Sequence, residues 1–91
     1  MKQMARFIVV HELPAVTTQD EVIAAGKALI TASSNGSKWL RCWVVPDANQ
    51  LLCEWEAPEQ EVIRASLRGV ELLPIKSIQT VAAIDPTWFE E

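Results

Sequence analysis

The sequence predicts an α+β domain of β-α-β-β-α-β order, and three observations carry that prediction. Four short runs are rich in β-branched and aromatic residues, two longer stretches repeat apolar residues at helical spacing, and turn residues separate all six. Ninety-one residues suit one domain spanning 1–91, with an ordered core of about 5–86.

Arg6 to Leu13 is the first strand, closed by Pro14. Thr18 and Glu21 have the spacing of a capping box, in which the threonine hydroxyl and the glutamate each satisfy a free backbone N–H of the other. Val22, Ile23, Gly26, Leu29 and Ile30 then form one stripe of a helix that fades at Ser33-Ser34, and Asn35-Gly36 turns the chain. Lys38 to Val45 and Leu51 to Ala57 read as second and third strands. They are joined through Pro46-Asp47-Ala48-Asn49, where proline presets φ and Asp and Asn tolerate tight turns. Pro58 starts a second helix with Glu59 and Glu61 near its positive end, Arg64 and Arg68 near its negative end and Gly69 as a stop. Its apolar side is Val62, Ile63, Ser66 and Leu67. The last strand runs from about Ser77 to Ile84 and stops at Asp85-Pro86, leaving Thr87 to Glu91 as a mobile tail.

Right-handed crossovers and short connections make this order a ferredoxin-like sandwich: a four-stranded antiparallel sheet with two helices on one face. The other face is left bare. A four-residue hairpin loop sets Val45 opposite Gln50, Cys42 opposite Cys53, Leu40 opposite Trp55 and Arg41 opposite Glu54. The bare face then carries Trp39, Arg41 and Trp43 with Leu52, Glu54 and Glu56. A register shifted by one instead gathers Trp55 with Trp39 and Trp43. Either arrangement leaves at least two tryptophans uncovered, and each can bury roughly 150–250 Å². The expected cover is a second copy of the chain, giving a dimeric α/β barrel.

Eight Lys and Arg against twelve Asp and Glu leave a net charge of −4, with the cations scattered. Neither nucleic acid nor an anionic membrane is an expected partner. The run Phe7 to Val10 is too short for a signal-peptide core or a membrane span. Two cysteines without a signal point to reduced thiols and a cytoplasmic location.

The segments Arg6-Phe-Ile-Val-Val-His-Glu-Leu-Pro14, Cys53-Glu-Trp-Glu-Ala-Pro58 and Ile84-Asp-Pro86 resemble a small bacterial family of unknown function. Its members typically open with Phe-x-Val-Glu-Arg-x-Leu-Pro, carry Cys-x-Tyr-Glu-Ala-Pro in the third strand and end near Val-Ile-Asp-Pro. The likeness runs from Arg6 to Pro86. It implies a ferredoxin-like dimeric barrel and, since some members are described as nickel-binding or nickel-responsive, nickel or another divalent transition metal. Here the family's Glu-Arg pair is Val10-His11, its third-strand aromatic is Trp55, and Gly69-Val-Glu-Leu-Leu-Pro74 replaces a Gly-Phe-Pro-Ala-like segment. Losing a carboxylate at position 10 weakens the metal reading. Gaining an imidazole at position 11 strengthens it.

His11 is the only histidine. With Glu54 and Glu56 it is the candidate metal set, an imidazole and two carboxylates; the plainer alternative is a strand-end histidine hydrogen-bonded to backbone. Trp39, Arg41, Trp43, Glu54 and Cys53 are the candidate ligand pocket, with Arg41 as an anchor for a carboxylate or planar group. Against this, Arg41 can be an interface residue paired with Glu54, and Cys53 a buried core residue. Cys42 and Cys53, if opposed, could also join on oxidation. No phosphate-binding glycine loop and no Ser-His-Asp pattern is visible, so no residue is assigned a catalytic role. Three functions remain open: a metal- or ligand-binding dimer, a cofactor-free monooxygenase- or isomerase-like enzyme for a hydrophobic or aromatic substrate, and a structural or regulatory partner domain.

Overall fold

A computed structural model describes residues 4–13, 18–33, 36–70, 73–82 and 84–90. Its elements are β1 (Ala5–Glu12), α1 (Gln19–Ala32), β2 (Lys38–Val45), β3 (Gln50–Ala57), α2 (Gln60–Leu67) and β4 (Ile75–Val81). The four strands form one antiparallel sheet in the order β2-β3-β1-β4. This is the ferredoxin-like arrangement that the element order implied.

Both helices pack on one face. Phe7 and Val9 of β1, Cys53, Trp55 and Ala57 of β3 and Ile78 of β4 are buried with Ala25 and Leu29 of α1 and Ile63 and Leu67 of α2. In β1 the alternation is complete. Phe7, Val9 and His11 point into this core, while Arg6, Ile8, Val10 and Glu12 belong to the opposite, open face. Register fixes the same division elsewhere: Ile8 pairs with Glu54 and Val10 with Leu52 on the open side.

Thr18 caps α1 as the sequence implied, but the Glu21 side chain meets the Thr18 hydroxyl in place of its backbone N–H. Thr18 Oγ1 accepts from the Glu21 backbone N–H at 3.2 Å, and its own hydroxyl donates to Glu21 Oε1 at 3.2 Å. α1 ends with Ser33 as its C-cap. Gly36 adopts φ +87°, a left-handed turn that glycine makes without steric penalty. Ser34 and Asn35, Pro14 to Thr17, Glu71 with Leu72, Ala83 and Glu91 lie outside the described residues.

Five segments differ in their bounds from the sequence reading, β1 being displaced by one residue to Ala5–Glu12. Pro58 precedes α2 rather than opening it, because Glu59 is the N-cap. β3 gains Gln50, which pairs with Val45 as the four-residue loop requires. β4 starts at Ile75 and ends at Val81, shifted toward the N-terminus, since Ile75 pairs with His11 after an irregularity beside Val10. Part of the tail is ordered: Pro86–Phe89 forms a 3-10 turn, with Asp85 accepting from the Thr87 backbone N–H at 2.8 Å.

The hairpin register is the four-residue-loop one over most of its length. Val45 faces Gln50, Val44 faces Leu51, Cys42 faces Cys53 and Arg41 faces Glu54. A β-bulge then intervenes, and Trp39 rather than Leu40 faces Trp55. One extra residue in a strand reverses the facing of everything beyond it. Trp39 therefore lies on the helix side, and Trp43 is the single strand tryptophan on the open face. The expectation of at least two tryptophans there is corrected.

Candidate functional site

The expected site residues fall on two sides of the sheet. On the open side, Arg6 and Arg41 grip Glu54 from two strands. Arg6 Nη1 lies 2.5 Å from Glu54 Oε2, Arg6 Nη2 lies 3.2 Å from Glu56 Oε1, and Arg41 Nε lies 3.1 Å from Glu54 Oε1. Strand pairing creates this network, since Arg6 opposes Glu56 and Arg41 opposes Glu54. The Glu54 side chain is only 12% exposed whereas Arg41 is 64% exposed, so the carboxylate is the enclosed hub. The hydrogen bonds to Glu54 and then Glu56 hold the Arg6 guanidinium above its ordinary pKa. The Arg41 guanidinium sits 6.0 Å from the Trp43 ring centroid, at the limit of a cation–π contact. Ile8, Val10 and Leu52 are half-buried on the same face.

On the helix side, His11 is fully buried. Its Nδ1–H donates to the Leu73 carbonyl at 3.1 Å. A carbonyl only accepts, so this bond fixes the tautomer and leaves Nε2 as a bare lone pair; that atom has no partner among the described residues. Burial lowers the His11 pKa below the ordinary value of 6.5, while backbone hydrogen bonding at Leu73 and Pro74 works the other way. The plain alternative for His11, a histidine bonded to backbone, is the arrangement found. Trp55 is equally buried and its indole N–H lacks a partner among the described residues.

Cys42 and Cys53 are joined by a disulfide across the β2–β3 pair. The expected reduced thiols are thus corrected: direct cross-strand opposition on the helix side brings the two Cα atoms to 4.1 Å. Cys53 is fully buried within this bridge, on the opposite side from Arg41, Trp43 and Glu54. The Trp39 indole N–H donates to Cys42 Sγ at 3.0 Å.

The proposed pocket therefore divides. Arg41, Trp43 and Glu54 stay together on the open face, while Trp39 and Cys53 turn to the helix face. The proposed metal set divides too, with His11 on one side and Glu54 and Glu56 on the other. A transition-metal centre does not fit these donors within one copy of the chain. His11 is separated by the sheet from Glu54 and Glu56, both Glu54 oxygens are bound by arginines, and no three His, Cys, Asp or Glu side chains converge among the described residues.

Sequence reasoning missed a cavity of about 460 Å³ between α1 and the β2–β3 half of the sheet. Ala25, Gly26 and Leu29 line it from the helix, and Trp39, Cys42 and Leu51 from the sheet. The legible signal was Ala25-Gly26, the two small residues where the helical stripe should have presented bulk.

Residues 7–81 match the family described as nickel responsive protein SCO4226-like. The chain belongs to that family. Among solved structures it is similar to SCO4226 from Streptomyces coelicolor A3(2), at 20% identity and a TM-score of 0.73, covering 89% of this chain and all of that one. It is also similar to the structural-genomics protein YJCS, at 8% identity and a TM-score of 0.61, covering 90% of this chain and all of that one. At these identities the two structures establish the shared ferredoxin-like fold. No curated protein matches the chain. Among the described residues, no helix is long and apolar enough to cross a membrane.

Proposed function

We propose that this member of the SCO4226-like family is a small binding domain that works as a homodimer, two copies packing their open sheet faces together. The observation that carries this is the open face itself: a self-complementary lattice of two arginines and two glutamates set among Ile8, Val10, Leu52 and Trp43. Four strands about 4.8 Å apart, with residues rising about 3.3 Å each, give a face of roughly 480 Å², so a pair buries about 1,000 Å², where specific interfaces begin. A twofold axis lets Arg41, the most exposed member of the network, meet carboxylates of the other copy. Sedimentation equilibrium at micromolar concentration tests the pairing. The wild type is expected to be dimeric and Leu52→Glu monomeric with its fold intact by circular dichroism. A monomeric wild type refutes the proposal.

Nickel reaches this chain through its family's description. Among the described residues one copy gathers no donor set, so a nickel response in this chain is expected from a site that two copies build together. Melting the metal-stripped protein with and without nickel distinguishes the possibilities. A ligand of the folded state raises stability by about 2.7 kcal/mol at a hundredfold excess over its dissociation constant. A shift kept in His11→Gln and lost in Leu52→Glu supports a site between copies. A shift lost in His11→Gln alone overturns that placement, and no shift removes nickel while leaving the pairing standing.

A further inference from the structure

We infer that the cavity beneath α1 is a binding site for a neutral, largely aromatic molecule, separate from the open face and independent of pairing. The space lies between two elements of one chain, not on an unpartnered surface. Its inner helix wall is Ala25 and Gly26, and a Cβ added at Gly26 would meet nothing within 4 Å. Small residues here leave the space between α1 and the sheet unfilled, where a packed core would carry larger side chains. The facing wall is the Trp39 ring and the Cys42 end of the disulfide, both polarizable surfaces suited to aromatic carbon. Val44, which is 57% exposed, and Val22, which is 53% exposed, extend this apolar surface toward solvent.

Charge narrows the ligand further. Arg41 lines the cavity, but its guanidinium lies on the other face, bound through Nε to Glu54 and 6.0 Å from the Trp43 ring centroid, so its charge is directed away from this site. The Trp39 indole N–H is already directed to Cys42 Sγ. The polar group that remains is Glu21, whose Oε1 accepts from Thr18 and whose second oxygen can accept from a ligand donor. At roughly 30 Å³ per water-sized group, 460 Å³ holds about fifteen non-hydrogen atoms. The matching chemistry is a fused or biaryl ring system carrying at most one N–H or O–H.

N-phenyl-1-naphthylamine has that chemistry, being neutral, aromatic and a single N–H donor, and its emission rises in apolar surroundings. Protein is titrated into a low, fixed concentration of this probe, and saturable binding is expected with a dissociation constant of about 200 µM or tighter. Gly26→Phe fills the space and Val44→Asp charges its rim. Each is expected to weaken binding at least tenfold, whereas Trp43→Ala on the open face leaves it within about twofold. Gly26→Phe also removes a glycine from a helix interior, so its melting temperature is expected to hold or rise; should it unfold, Val44→Asp decides alone. Absence of saturable binding overturns the inference. So does binding that survives the folded cavity variants, or that is lost in Trp43→Ala.

Discussion

Reducing the Cys42–Cys53 bridge is the perturbation with the most calculable consequence. The two residues are 11 apart in sequence. Closing a loop of that length removes about 9 cal/mol/K from the unfolded chain, or about 2.8 kcal/mol at 25 °C. That is a large share of the roughly 5–15 kcal/mol by which a domain is stable. For a chain of this size it corresponds to a fall in Tm of about 11–22 °C, and to a shift in the urea midpoint of roughly 1–3 M. The assay is paired urea unfolding of one preparation with and without a phosphine reductant, with thiol titration confirming two free thiols in the reduced sample. The comparison leaves every side chain in place, so no cavity contribution enters. Residual hairpin structure in the unfolded state would shrink the difference, because the strands would already be close without the bridge. Superimposable curves, with both thiols shown to be free, refute the assignment of chain-entropy stabilisation to this bridge.

The His11 imidazole supplies a pH test. Its folded pKa lies below 6.5, so below pH 6.5 the unfolded chain gains a proton that the folded chain resists, and stability falls with pH until the folded pKa is reached. At pH 5.5 the wild type is expected to lose up to about 1.4 kcal/mol relative to pH 7.5, and His11→Gln to lack that component in matched urea titrations. Thr18→Ala removes the α1 cap and is expected to cost about 1 kcal/mol, read as a lower urea midpoint with unchanged slope. Asn49 sits at φ 51° after the hairpin turn; Asn49→Gly is expected to be nearly neutral and Asn49→Val to cost about 1–2 kcal/mol by the same measurement.

Much of this fold was legible because its cues are local. Proline and glycine punctuation, the Thr18–Glu21 box and the alternation in β1 each depend on a few neighbouring residues. The hairpin register followed from loop length, which also placed Cys42 opposite Cys53. Trp39 was misplaced because a β-bulge has no signature in this sequence: Leu40 is an ordinary strand residue, and the packing of Trp39 against Trp55 selects the irregular pairing. The candidate metal set failed for a related reason. Whether His11 shares a side with Glu54 depends on which residues pair across β1 and β3, a tertiary fact set by the core demands of Phe7, Val9 and Trp55. The cavity was hidden because the spacing of apolar residues reports which side of a helix faces inward, not how far the helix stands from the sheet.

The sheet therefore separates two chemistries. Its open face holds the ionic groups, and these mostly satisfy one another: Glu54 is enclosed by two arginines and Glu56 shares one of them. Within one copy such a lattice favours an interface over an ion site, because a cation entering there must displace guanidinium groups already in place; a nickel site between copies requires pairing to redirect Arg41 and free a Glu54 oxygen. Its helix face holds the aromatic ring, the disulfide and the vacant volume, with one carboxylate at the edge. The one histidine lies on this second side, neutral and hydrogen-bonded to Leu73, a residue of the cavity wall. Substitutions on the two faces should thus affect different measurements. Leu52→Glu acts on association and Gly26→Phe on ligand uptake; coupling between them would mean that α1 and the sheet move together when two copies meet.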